Sequence, residues 1–273
     1  MASPYPPPHH VLRDLGPTVH VRGDEARGGL AVRPELCGPS GGVLMGPVAI
    51  LVDMLGGGLA ARAAYPDWIA TADLTVHLTA RPATGSIEAV GRVLRAGRTT
   101  VVMEVALGHG GAPIGVASMS FAVLPRREGN PDIAAAQDSS DEGDAPPWLA
   151  GGDLARPLAD ALEIRTFDAR AGVLEAPVID YSRNSLDALQ GGVVATLACL
   201  AADAALSDAC DRSVETADLH LTYLALNKLG PVRTRTEVLR ASAEEGTARV
   251  ETVDAAGRLT AVAGIVAVAG VVP

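Results

Sequence analysis

"GGVLMGPVAILVDMLGGG", residues 41–58, and "DALQGGVVATLACLAADA", residues 187–204, are two versions of one motif. Each is a glycine-bearing turn that runs into an apolar stretch long enough for a buried helix. Aligning the turns sets Gln190-Gly191-Gly192 against Leu44-Met45-Gly46 and Cys199 against Asp53. One copy keeps an acid that the other lacks, and the other keeps a glycine pair. The offset of 146 persists as 145 downstream, where "TADLTVHLTA" (71–80) matches "TADLHLTYLA" (216–225). "VLRA" recurs at 93–96 and 238–241, and Glu104 stands opposite Glu251. Matches in the same order at nearly constant spacing indicate an internal duplication.

Each copy opens with short strands and its apolar helix, and four stretches with strand character follow. In the first copy these are "TADLTVHLT", "GSIEAVGRVLRA", "TTVVMEVALG" and "IGVASMSFAVL". Alternating Thr, Val and Ile broken by glycine supports strands. A meander after one apolar helix implies an antiparallel sheet curled around it, and two such sheets can pair edge to edge. The sequence divides into a proline-rich disordered tail (1–15), a first unit (16–127), a linker (128–155) and a second unit (156–273). The stretch "PRREGNPDIAAAQDSSDEGDAPPWLAGG" (125–152) supports that linker through its Pro, Gly, Ser and acidic content.

Composition narrows the function. Aromatic residues make up 3% of 273, too few for stacking on bases. A net charge of −10 argues against an electrostatic nucleic-acid or membrane-surface binder. Three cysteines without C-x-x-C spacing indicate neither a zinc site nor a disulfide framework, which suits a reducing cytoplasm. The start "MASPYPPPHH" lacks a signal-peptide core, and the apolar runs look too short or too glycine-broken to span a bilayer. A soluble, cytoplasmic protein is expected.

The first helix carries the informative residue. From Gly41 to Ala61 its only charge is Asp53. An unpaired buried carboxylate costs several kcal/mol, so Asp53 either reaches solvent at a seam or faces a cleft as a catalytic acid. Gly191-Gly192 at the second helix start offers close backbone approach and unpaired N–H groups that favour negative charge on a carbonyl oxygen. Asp53 lies eight residues after Met45, roughly 12 Å along a helix. The turn and the acid of one helix therefore cannot serve one small group. Two helices related by a pseudo-twofold axis can bring Gly191 to Asp53, while Met45 and Cys199 flank the mirror position.

These residues resemble the hotdog-fold acyl-CoA thioesterases, in particular the phenylacetate-pathway type of the 4-hydroxybenzoyl-CoA thioesterase superfamily. That pattern is His-Gly-Gly, an acid nine residues after the His, and a strand with Ser or Thr two residues before an Asp. The resemblance covers roughly 30–124 and 160–268 and implies an α+β tandem (double) hotdog. It implies sites between units, with Gln190 at the His position and Gly191 as the amide that polarises the thioester carbonyl. Gly192 is then its neighbour, Asn184 lies beside the carbonyl, Asp53 is the acid and Thr71 its Ser/Thr partner. The converse set is degraded to Gly38, Leu44-Met45 and Cys199, with Thr216 retained. The implied reaction is thioester hydrolysis with Asp53 as general base, or as nucleophile, and with no cofactor or metal. The partner is a small-molecule acyl-CoA of unspecified chain, and a homodimer would give four hotdog units.

Two other readings stay open: a non-catalytic acyl-CoA-binding protein, and a hotdog hydratase or dehydratase, which usually needs a His that neither turn supplies. Other residues are read as ordinary. Cys199 is inert packing, and Asp203 marks the helix emerging toward solvent. His77 and His220 are satisfied strand polar groups, and "GHGGAPIG" (108–115) is a hairpin loop. Arg81, Arg95 and Arg98 are candidates for CoA phosphates.

Overall fold

The computed structural model describes residues 5–126 and 152–270. Period-two alternation shapes the strands: Val101, Met103, Val105 and Leu107 all turn inward along one strand. The first half contains β1 (Thr18–Arg22), β2 (Glu25–Ala31), α2 (Met45–Ala64), β3 (Trp68–Leu78), β4 (Ser86–Ala96), β5 (Thr100–His109) and β6 (Ala112–Leu124). The second half repeats this order with α3 (Leu158–Ala161), β7 (Arg165–Asp168), β8 (Val173–Ala176), α4 (Gly191–Ala209), β9 (Val214–Tyr223), β10 (Val232–Ala241), β11 (Glu245–Val253) and β12 (Leu259–Ala269). Gly110 and Gly111, both at positive φ, turn the β5–β6 hairpin where the glycine-rich loop was expected.

All the strands form one antiparallel sheet in the order β1-β2-β4-β5-β6-β3-β9-β12-β11-β10-β8-β7. The halves join at β3 and β9, where Thr75 pairs with His220. Those two residues are also each other's repeat equivalents at the offset of 145, so the pseudo-twofold axis passes between them. Here His220 Nε2 lies 3.0 Å from Asp73 Oδ2 and His77 Nδ1 lies 2.5 Å from Asp218 Oδ1. Both histidines are thus satisfied by carboxylates across the seam.

The helices α2 and α4 pack on the sheet and on each other near their starts. A Cβ on Gly192 would lie 2.5 Å from Ile50 Cα, and one on Gly46 would lie 2.7 Å from the Thr196 side chain. These contacts are twofold-related, and only glycine permits such backbone approach. Pro47 falls in the first turn of α2, where a missing N–H costs nothing. Later in α2 come three consecutive glycines, each about 1 kcal/mol less favourable than alanine. Gly56 has a packing reason, since a Cβ there would lie 2.6 Å from Met119 Sδ; Gly57 and Gly58 have no neighbour within 4 Å.

Three expectations change. Part of the expected disordered tail is folded: α1 (Val11–Leu15) has His10 as N-cap and Gly16 as a left-handed C-cap, and Val11, Leu12 and Leu15 are buried. Val11 N–H donates to Tyr181 O (2.9 Å) and His10 Nε2 lies 2.8 Å from Arg183 O, tying this arm to the second half. The linker expectation at 128–151 lies outside the described residues, but its last part is packed. Arg33 Nη1 donates to Gly152 O at 2.8 Å, and Leu154 is buried. Finally, α2 and α4, at 20 and 19 residues, are long and apolar enough to cross a membrane by length and composition. Most of each is buried against the sheet and the opposite helix instead.

Candidate active site

Asp53 sits in the third turn of α2, near the end of α4 where Gly191 begins that helix. Its carboxylate is held from both halves. Thr71 Oγ1 on β3 donates to Oδ1 at 2.9 Å, while Gln190 Nε2 and Gly192 N–H donate to Oδ2 at 2.6 and 3.2 Å. A Cβ on Gly191 would lie 2.9 Å from Oδ2, so any side chain there would press on the acid. Burial pushes the Asp53 carboxyl up to about 6, opposed by the Thr71 and Gly192 hydrogen bonds, so the acid is ionised above that pH.

The expected residues meet, with roles divided differently. Gln190 acts as the N-cap of α4, its Oε1 accepting from Val193 N–H at 2.9 Å, and its amide is committed to Asp53. Gly192 is buried against Ile50 and does not line the cavity; it packs the helices and donates to the acid. Gly191 lines the cavity, and its N–H, the first of the helix, has no acceptor among the described residues. Asn184 also lines the cavity; its Oδ1 accepts from Leu186 and Ala188 N–H at 2.9 and 3.1 Å.

The cavity measures about 530 Å³ and runs along the seam past Asp53, Thr71, Gly191 and Gln190. Sequence reasoning missed three of its residues. Tyr223 donates from its hydroxyl to Gly191 O at 2.8 Å, fixing the turn; it stands opposite Leu78 in the repeat, a difference that could have marked it. Tyr5 reaches the wall from the N-terminal arm, and its hydroxyl donates to Arg183 O at 3.3 Å. Asn227, 2% exposed, lines the cavity, and its Oδ1 has no partner among the described residues.

The mirror position is filled. Cys199 and Met45 are buried, and burial holds the Cys199 thiol well above its usual range. Arg81 Nη1 lies 2.8 Å from Glu215 Oε2 in a buried ion pair, angled so that it is not a hydrogen bond. Ser40 donates to the same carboxylate through N–H (2.9 Å) and Oγ (2.5 Å). That carboxylate occupies the space a side chain on Gly38 would need. Arg81 is therefore unavailable to CoA phosphates, whereas Arg95 and Arg98 are exposed around the β4–β5 turn and outside the cavity wall.

Asp203 is half-buried where α4 begins to meet solvent, and it accepts from Thr216 Oγ1 at 2.6 Å, one helical turn beyond Cys199. Burial first, then the neighbouring Glu215 charge, raise its carboxyl to about 7 against hydrogen bonds from Thr216. With a folded-state value above the ordinary 3.8, the folded protein holds this proton more tightly, so stability is lost as pH rises from about 4 through 7. Asp203→Asn keeps an oxygen for Thr216 and removes the charge. Urea unfolding should show it more stable than the parent by about 1–3 kcal/mol at pH 8 and equal to it near pH 4.

Compared by sequence, the chain matches no family model, and no curated protein matches it. Solved structures do match in fold. A protein from Thermobifida fusca YX provisionally named thioesterase II is 20% identical, with 97% of this chain and 99% of that one covered at a TM-score of 0.62. A hot dog fold protein of unknown function from Alicyclobacillus acidocaldarius is 13% identical (96% and 98% covered, TM-score 0.62). An acyl-ACP thioesterase from Bacteroides thetaiotaomicron VPI-5482 is 11% identical (89% and 98% covered, TM-score 0.59). Coverage of whole chains on both sides, with the paired meanders above, makes this chain a double hotdog of the α+β class.

Proposed function

We propose that this protein hydrolyses acyl thioesters, with acyl-CoA as substrate, at one composite site per chain. The observation that carries the reading is an ionisable acid from one half set against the first, unpaired amide of the other half's helix, inside an apolar cavity. Asp53 would take a proton from water as the water oxygen attacks the carbonyl carbon. The Gly191 N–H would stabilise the oxyanion at the positive end of α4. Collapse then breaks the C–S bond and leaves the acid product, while the proton held by Asp53 passes to the departing thiolate. Water is the only co-reactant, and coenzyme A belongs to the substrate. Structural neighbours named as thioesterases support the class, and a pair of chains would assemble four hotdog units.

A screen of acyl-CoAs of different chain length for thiol release tests the reading. Because Asp53 must be ionised, kcat should rise with pH through about 6. Thr71→Val deletes a hydrogen bond to the charged form, worth about 1.5 kcal/mol or more. It should move that acid limb upward by roughly one unit; a limb that stays in place separates Thr71 from the acid's ionisation.

A second reading has its own support. Both Asp53 oxygens already have donors, as suits a structural acid in a non-catalytic acyl-CoA-binding protein. Tight acyl-CoA binding with no turnover in any variant selects it. A hydratase is disfavoured because no histidine lines the cavity among the described residues.

A further inference from the structure

The cavity lining comes in two chemically different parts, one limb supplied by α2 and the other by the segments before α4 and after β9. One follows α2 beyond the acid, past Met54, Gly57, Gly58 and Ala61, which carry no charge and no side-chain N–H or O–H donor, to the Trp68 ring. The other is walled by Asn184, Ser185 and Asn227, and Asn227 is the cavity-lining residue whose buried side-chain oxygen lacks a partner among the described residues. A buried, unsatisfied amide oxygen is costly unless a ligand supplies a donor. Gly57 and Gly58 are unfavourable in a helix, no neighbour requires either of them, and their missing side chains open directly on the apolar limb. In the duplicated half, the position matching Gly57 is Asp203.

We propose that Gly57 and Gly58 set the length of acyl chain accepted, and that Asn227 takes an amide N–H of the thiol-bearing arm in the opposite limb. This rests on the thioester reading above. From Asp53 to Ala61 is eight residues, about 12 Å of helix. An extended chain of about ten carbons covers that span, since C–C bonds near 1.5 Å advance about 1.25 Å each. The substrate class is therefore an unbranched aliphatic acyl thioester of medium length, carried on an amide-containing arm.

Calorimetric binding of hydrolysis-resistant S-alkyl-CoA thioethers with two, six and ten carbons tests this without turnover. For the wild type, affinity should tighten up to about fourfold per added methylene. Gly57→Leu should weaken S-decyl-CoA at least tenfold and leave S-ethyl-CoA within about twofold. Gly57→Ala, which adds one carbon to a favourable helix position, should give a smaller loss of the same pattern with no drop in Tm, covering the case in which the leucine variant does not fold. Asn227→Ala should weaken all three probes equally. A length profile unchanged by either Gly57 variant, or lowered equally for all probes, overturns the proposal even where the wild type hydrolyses acyl-CoA. The expected profile in a protein that turns over no acyl-CoA upholds it and rejects hydrolysis instead.

Discussion

Asp53→Asn is expected to lower kcat for acyl-CoA hydrolysis by about 10²–10⁴-fold, the usual contribution of a positioned general base. The substitution keeps the shape of the side chain and removes the group that accepts the proton. KM should change little, because the cavity walls are untouched. The charge lost is one whose burial raises its pKa to about 6, so the variant should not melt below the parent at pH 8. Steady-state rates and a thermal melt on the same sample separate the two effects. An unchanged kcat would remove Asp53 from the chemistry and leave it as a strut between α2 and α4.

The second large effect concerns stability. Glu215→Ala should destabilise the fold by about 3–5 kcal/mol, because it strands the Arg81 guanidinium in a buried site. Arg81 and Glu215 side chains are 8% and 4% exposed, so water cannot replace the lost partner. The Ser40 N–H and hydroxyl lose their acceptor in the same step. Replacing both charges, as Arg81→Met with Glu215→Leu, should restore most of the loss, since apolar residues of similar volume often match or exceed a buried ion pair. Urea unfolding reads both variants; a loss below about 1 kcal/mol for Glu215→Ala would place the pair in effective contact with solvent.

Much of the arrangement was legible beforehand because duplication makes a sequence its own alignment. The matched "TADL" segments located β3 and β9, and the exchange of Asp53 for Cys199 identified the half that retains an acid. The roles of neighbouring residues were harder to read. Gln190 and Gly192 occupy the motif positions, yet Gln190 caps α4 and binds the acid, while Gly192 lets the helices touch. Asp203 marks the start of the more solvated end of α4, but one-dimensional context could not show Thr216 folding back onto it. Prolines in the first ten residues masked the cap residues His10 and Gly16 that bound α1.

What the sequence determined alone was local and periodic: the strand alternation, the two apolar helices, the repeat offset and one acid without a charged neighbour on its helix. These follow from side-chain chemistry within a few residues. Tertiary structure decided what covers those helices, since the same apolar composition suits lipid or a curled sheet and only burial by distant strands distinguishes them. It also decided that Tyr223 braces Gly191, that an ion pair fills the mirror position, and that empty space lies over Gly57 and Gly58. Each depends on the β3–β9 register, in which a one-residue slip would turn every side chain on the strand to the opposite face.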